Sequence, residues 1–327
     1  MSYQTKQNST VVIATEVTMG TIATNDATRI VMPVTDYSFS DVKKHSLSMA
    51  PARVGAGSYN MSNDMVKWQE HDRMFDISLT FHATAQSINR VCKALFGDGD
   101  GANALLGSSP TVTSYSDAVT NAVPVTIWFE NGAHAGLNTD ISFTSCMCTG
   151  LTMTGDISSN GSVVLCTATF QTGYVPSEAT KTFSGGTETT LAAQNTLFAM
   201  HDLATTQLNA QDLILYGFEL NISRPVNKIG FVKANDYKPV GYGIMPYEVT
   251  GSLTCKRDAA SLAAIGTTSG VALNLDTTVF QITGEKVFVD EAGISYDDDG
   301  WKQTIPLRFT YDSASGDNPV VNINTQA

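Results

Sequence analysis

Apolar and polar residues alternate most clearly from Met74 onward. Phe75, Ile77, Leu79 and Phe81 interleave with Asp76, Ser78, Thr80 and His82, the period of two that marks a strand with one buried face. Ala85 to Leu95 (AQSINRVCKAL) then changes period. Its apolar residues fall at Ile88, Val91, Cys92 and Leu95, which predicts a short amphipathic helix ending before Gly97. The same order returns later. Tyr247, Val249, Leu253 and Cys255 alternate with Glu248, Thr250, Ser252 and Thr254, and Asp258 is placed to cap a short helix, AASLAAI, that ends before Gly266. Strand and helix recur at an offset of 172 residues.

A second pair of segments recurs at an offset of 139. Thr149 to Thr172 reads as two strand arms around Asn160-Gly161, and Lys286 to Tyr311 as two arms around Asp299-Gly300. Asn-Gly and Asp-Gly mark hairpin turns because their residues tolerate positive φ. Phe170 and Phe309 stand at matching places on the return arms. A third pair, Thr28–Phe39 and Asp212–Ser223, reads as the strand entering each copy. Each is followed by a long loop, about His45–Glu70 and about Pro225–Pro246. The first copy holds about 33 more residues, mostly between Phe96 and Val123. These readings predict a mainly β chain with an N-terminal arm (1–25), a first module (26–175), a linker (176–209) with a short helix near Thr190–His201, a second module (210–316) and a C-terminal arm (317–327).

Composition narrows the function. Apolar residues make up 42% of the chain and charged residues 15%, enough for a core and too few charges for wholesale disorder. The 19 basic residues are outnumbered by 31 acidic ones, for a formal net charge of -12. A protein that grips phosphates needs clustered Lys and Arg, and the longest basic run is Lys43-Lys44. Tight DNA binding is not expected; a surface past which DNA slides is compatible. The polar start of the chain, the lack of a membrane-length apolar run and five cysteines without paired spacing predict a protein folded in a reducing cytoplasm, off the membrane.

Candidate chemistry is sparse. The stretch Gly97-Asp98-Gly99-Asp100-Gly101 lacks the Lys-Ser/Thr of a phosphate-binding loop. Cys146 and Cys148 lack a second ligand pair for zinc. Asp297-Asp298-Asp299-Gly300 would need Glu at the twelfth position to be a calcium loop and has Arg308 there. No nucleophile motif stands out. The expectation is no enzyme, no cofactor and no metal.

The segments DLILYGFELNISRPVNKIG with YEVTGSLTCKRDAASLAAI, and EKVFVDEAGISYDDDGWKQTIPLRFTYD, resemble the tail tube proteins of long-tailed bacteriophages; FDISLTFHATAQSINRVCKALFG fits the same plan more loosely. The resemblance implies β-sandwich or barrel-forming modules, each with one short helix and a long loop, whose strands join neighbouring subunits. Six modules would make a ring, so two modules per chain imply a trimeric, pseudo-hexameric ring, with a hexamer the alternative. Rings would stack helically into the tail of the virion, meet other tail proteins at the tube ends and form the channel for genome delivery, after assembly in the host cytoplasm. Candidate lumen-facing residues are Asp76, Ser78, Thr80, Glu248, Thr250 and Ser252; an ordinary solvent-facing surface is the alternative. Met49, Tyr59, Met61, Met65 and Trp68, with Phe231, Tyr237, Tyr242 and Met245, are candidate contacts between rings, because such residues form costly exposed patches on a monomer. Another virion structural protein, such as a decoration, neck or baseplate protein, or a surface binding module shares this composition.

Overall fold

A computed structural model describes residues 9–16, 19–23, 29–40, 45–48, 67–70, 74–96, 123–131, 140–178, 188–194, 197–229, 239, 241–246, 248–266, 269–277, 280–297, 300–310 and 321–325. The chain is mainly β, with large antiparallel sheets. The described residues include two α-helices, Ala85–Phe96 and Ala259–Ile265.

The alternating segments form one continuous run of strands. In spatial order these are Val34–Phe39, Phe75–His82, Leu165–Thr172, Ile141–Asp156, Leu215–Ser223, Glu248–Lys256, Gly300–Phe309 and Gly293–Asp297, each antiparallel to the next. The first four and the last four repeat the same order. Their registers repeat as well. Ser78 lies opposite Thr169 and Thr250 opposite Arg308; Phe81 lies opposite Cys166 and Leu253 opposite Ile305. These are the steps of 172 and 139 read from the alternation. At the entering strand, Phe39 faces Ile77 as Ile222 faces Val249, a step of 183. The bulge at Thr35 makes the step 184 upstream, where Val34 opposes Phe81 as Phe218 opposes Leu253.

A second set of strands lies beyond the hairpin arms. Ser9–Thr15 pairs with Val125–Asn131, and Thr205–Leu208 pairs with Val271–Asp276. Both inner strands then meet a hairpin arm through a bulge at the same place. Val125 opposes Cys146 before Ile127 opposes Phe143, and Val271 opposes Val287 before Leu273 opposes Gly284. Ser177–Glu178 and Asn322–Thr325 add the same short outer pairing to each arm. Stretches expected to be arms outside the modules, at both ends of the chain, thus carry paired strands. Val11, Val12, Ile13 and Ala14 are buried on both faces of theirs, each large side chain contributing about 1.5–3 kcal/mol on burial.

Both helices open with the same reciprocal cap. The Thr84 hydroxyl accepts from Ser87 N–H at 3.1 Å while Ser87 Oγ accepts from Thr84 N–H at 3.0 Å. Asp258 Oδ1 accepts from Ser261 N–H, and Ser261 Oγ accepts from Asp258 N–H, each at 2.9 Å. The cap at Asp258 is as the spacing predicts; that at Thr84 is a further finding. The linker holds no α-helix among its described residues. It makes two short 3-10 turns, Leu191–Ala193 and Met200–Asp202, and crosses the first half by bridging Leu197 to Thr84 and Ala199 to Val163.

The turns depart from a two-residue Asn-Gly model. Eight residues separate Asp156 from Leu165, and positive φ falls on Gly161 and Ser162, at 63° each. In the second hairpin Asp297 pairs with Gly300, so Gly300 already belongs to the return strand.

Among the described residues one large apolar core spans both halves, and a small second cluster, Val12, Ala14, Val31 and Trp128, lies apart from it. The large core joins Ile13 and Ile127 of the outer strands to Ile77, Leu79, Phe143 and Phe170 of the long sheet. It also takes in Ile88, Val91 and Leu95 of the first helix and Phe218, Ile222, Val249 and Ile305 of the second half. All five cysteines are buried and unpaired, acting as small core residues. Among the described residues of one chain the sheet does not close into a barrel. Among the described residues, Val34–Phe39 and Gly293–Asp297 each carry a ladder on one side only.

Candidate channel-facing sheet surface

Residues directly opposite one another in a ladder share a face, so the registers define what the long sheet presents on the side away from its core. One row runs Asp36, Thr80, Thr167, Thr152, Asn221, Thr250, Arg308. The next runs Ser38, Ser78, Thr169, Gly150, Ser223, Glu248. A third holds His82, Leu165, Thr154, Glu219, Ser252 and Pro306. Almost every side chain is polar, and the residues are exposed or half-buried. All six candidate lumen residues lie on this one face. Asp76 and Glu248 are exposed, and Ser78, Thr80, Thr250 and Ser252 are half-buried between neighbouring strands.

Side chains on this face hydrogen-bond along the rows. The Thr80 and Thr167 hydroxyls lie 3.2 Å apart, Thr152 Oγ1 donates to Asn221 Oδ1 at 3.2 Å, and Gln171 Nε2 donates to Asp76 Oδ1 at 2.8 Å. At the rim, the hydroxyl and N–H of Ser158 donate to Asp156, both at 2.7 Å, and hold its carboxyl below the ordinary range. Asp36, Asp76, Asp156, Glu219 and Glu248 face out here against Lys256, Lys302 and Arg308, and among the described residues no run of cations offers a phosphate grip. The alternation that revealed Asp76 and Glu248 also runs through Leu151–Asp156 and Leu215–Ser223; reading those strands the same way finds Thr152, Thr154, Glu219 and Asn221.

The two halves meet on this face as any other neighbouring strands do. Gly150–Asp156 of the first half pairs with Gly217–Ser223 of the second without interruption. Behind the seam, the buried Arg224 guanidinium donates to the Leu95 carbonyl at the end of the first helix.

The loop residues divide differently. Met49, Tyr59, Met61, Met65, Phe231 and Tyr237 lie outside the described residues. Trp68 stands opposite Leu47 in a two-stranded hairpin, His45–Ser48 with Lys67–Glu70. Val226–Ile229 and Gly241–Ile244 form the corresponding hairpin of the second half. Its Tyr242 is turned onto its own chain: the hydroxyl accepts from Gly173 N–H at 3.0 Å, and burial raises its pKa. Met245 is half exposed.

A family model for phage tail tube proteins matches residues 6–317. The chain belongs to the phage tail tube protein family. Membership makes it a structural component of a virion tail, in a family whose role is assembly with other copies and other tail proteins rather than catalysis. No curated protein matches the sequence. Among the described residues of this tube family member, no group of three or more His, Cys, Asp or Glu could hold a metal ion, and no helix is long and apolar enough to cross a membrane.

Proposed function

We propose that copies of this chain close into rings that stack as the tail tube, with the polar face of the long sheet lining the channel through which DNA passes. The reading rests on one observation: an uninterrupted polar surface crosses both halves of the chain, with each half contributing the same four strands in the same register. Two equivalent units per chain, 26–175 and 210–316 extended by the strands of the flanking arms, make a ring of three copies pseudo-sixfold. The inner surface then repeats Asp76, Ser78 and Thr80 alternately with Glu248, Thr250 and Ser252.

Carboxylates and hydroxyls on such a wall repel phosphate and leave no deep binding site, so DNA moves without being held. Rings meet through the long loops, including the hairpins His45–Glu70 and Val226–Ile244, and other tail proteins meet the tube ends. Assembly takes place in the host cytoplasm. Negative-stain microscopy of the purified chain tests the reading. Long hollow tubes are expected, and a monomer or small closed oligomer at all concentrations would contradict it.

A further inference from the structure

The outermost strands of the sheet can be matched to each other residue by residue. We propose that, in the ring, Val34–Phe39 of one copy pairs antiparallel with Val289–Ser295 of its neighbour, with Gly293 opposite Asp36 and Val289 opposite Phe39. The inference rests on the ring reading above and adds to it a defined register between copies.

The seam inside the chain supplies the template. There Thr154 opposes Glu219 and Leu151 opposes Ile222. Gly293 holds the place of Thr154, since Gly293 opposes Thr304 as Thr154 opposes Leu165. Val289 holds the place of Leu151, opposing Leu307 as Leu151 opposes Ala168. On the other edge, Asp36 opposes Thr80 as Glu219 opposes Ser252, and Phe39 opposes Ile77 as Ile222 opposes Val249.

Counting along the edges agrees. Val289 and Gly293 are four residues apart, whereas Asp36 and Phe39 are three apart. The extra residue is already absorbed inside the chain, because Val289 and Gly293 pair with Leu307 and Thr304, which are also three apart. One residue among Asp290, Glu291 and Ala292 is therefore bulged, and the edge presents the spacing that Val34–Phe39 requires.

Side-chain direction argues for the same register independently of the repeat. Leu151 and Ile222 are fully buried at the internal seam, whereas Phe39 and Val289 are only partly buried at the two ends of the same core. The proposed pairing brings these two together on the core side. It also sets the exposed Ile294 near Val34, as Gly155 lies against Phe218. A slip of one residue would set core-facing Val289 opposite channel-facing Ser38, which the shared pleat of a ladder does not allow, and leave both apolar ends uncovered.

Cysteine pairs test the register. Asp36→Cys and Gly293→Cys place thiols directly opposite each other, with Cβ atoms about 4.5–5.5 Å apart, whereas Ser38→Cys with Gly293→Cys is a diagonal pair at roughly 7–8 Å. A disulfide needs about 3.5–4.5 Å, so only the first pair is within small adjustment of bonding. A Cβ on Gly293 meets nothing within 4 Å, and the five native cysteines are buried. Tubes would be assembled from a one-to-one mixture of single variants, so that each copy carries only one altered edge, and oxidised before denaturing electrophoresis. The expected result is a shift of monomer into covalent dimers for the 36–293 mixture and its near-complete loss for the 38–293 mixture. Tubes that form but crosslink better through 38–293, or through neither, overturn the register and leave the ring reading standing. Failure of the unsubstituted chain to form tubes overturns the ring reading itself, and the register with it.

Discussion

Gly155 and Phe218 lie opposite one another across the seam that joins the two halves, so close that a Cβ on Gly155 would come within 2.5 Å of the Phe218 ring. The same Cβ would meet Met200 Sδ at 2.5 Å. The glycine lets a strand of the first half, an aromatic of the second and the linker converge on one point. Gly155→Val is expected to destabilise the chain by about 1–3 kcal/mol through overpacking. Denaturant unfolding measures this, and an unchanged midpoint would show that the seam is loose.

The paired helix caps give a second prediction. Thr84→Val removes the hydroxyl that accepts from Ser87 N–H and donates to Gln194 Oε1 at 3.0 Å. Asp258→Ala removes the acceptor for Ser261 N–H. Each should cost about 0.5–2 kcal/mol, with the buried Thr84 site toward the upper end because Gln194 loses a partner in the interior. Equal, negligible losses in equilibrium unfolding would contradict the role given to these caps.

Glu16 makes the fold sensitive to pH. Its carboxylate accepts from Thr126 Oγ1 and Ser145 N–H at 2.6 Å and from Ser145 Oγ at 2.7 Å, next to the positive-φ bulge residue Ser145. Burial nevertheless outweighs these bonds and raises its pKa above the ordinary 4.5. A carboxyl with a raised folded pKa holds its proton more tightly in the folded chain. Its stabilising contribution is complete below 4.5 and is lost as pH rises through the raised value. Thermal unfolding across about pH 4 to 8 should show this decline in the parent chain and a flatter profile for Glu16→Gln. Parallel profiles would contradict it.

Charge on the polar face should control how the tube treats DNA. Asp76→Lys with Glu248→Lys changes two exposed positions per chain from acidic to basic without touching the core. Tubes of this variant are expected to retain DNA at low salt and release it as salt rises, since each phosphate contact is salt-dependent. Retention by filtration reads the effect. Variant tubes indistinguishable from the parent would place the face away from the channel.

Much of this architecture is legible in the alternation itself. The steps of 172 and 139 are also ladder registers, because a buried face forces every apolar residue of a strand to one side and so fixes its partner. The ends of the chain are harder to read. Within Ser9–Thr15, Val11–Ala14 is an apolar run buried on both faces and shows no period of two, and Asn322–Thr325 is too short to show one. The linker misleads in the other direction: the turns at Leu191–Ala193 and Met200–Asp202 hide how Phe198 stacks on Phe280, with ring centroids 4.1 Å apart, a contact between residues distant in sequence. On the polar face, Asp76 and Glu248 stand out in single strands, but its continuity needs the pairing of Ile141–Asp156 with Leu215–Ser223, which no local pattern states.

Electron cryo-microscopy of the assembled polymer tests the central claim most directly. The account predicts rings of three copies with six similar units around the channel, and Asp76, Thr152, Asn221 and Glu248 on the inner wall. Rings whose inner wall is built from other residues, or in which the two halves of the chain stand in unrelated positions, would contradict it.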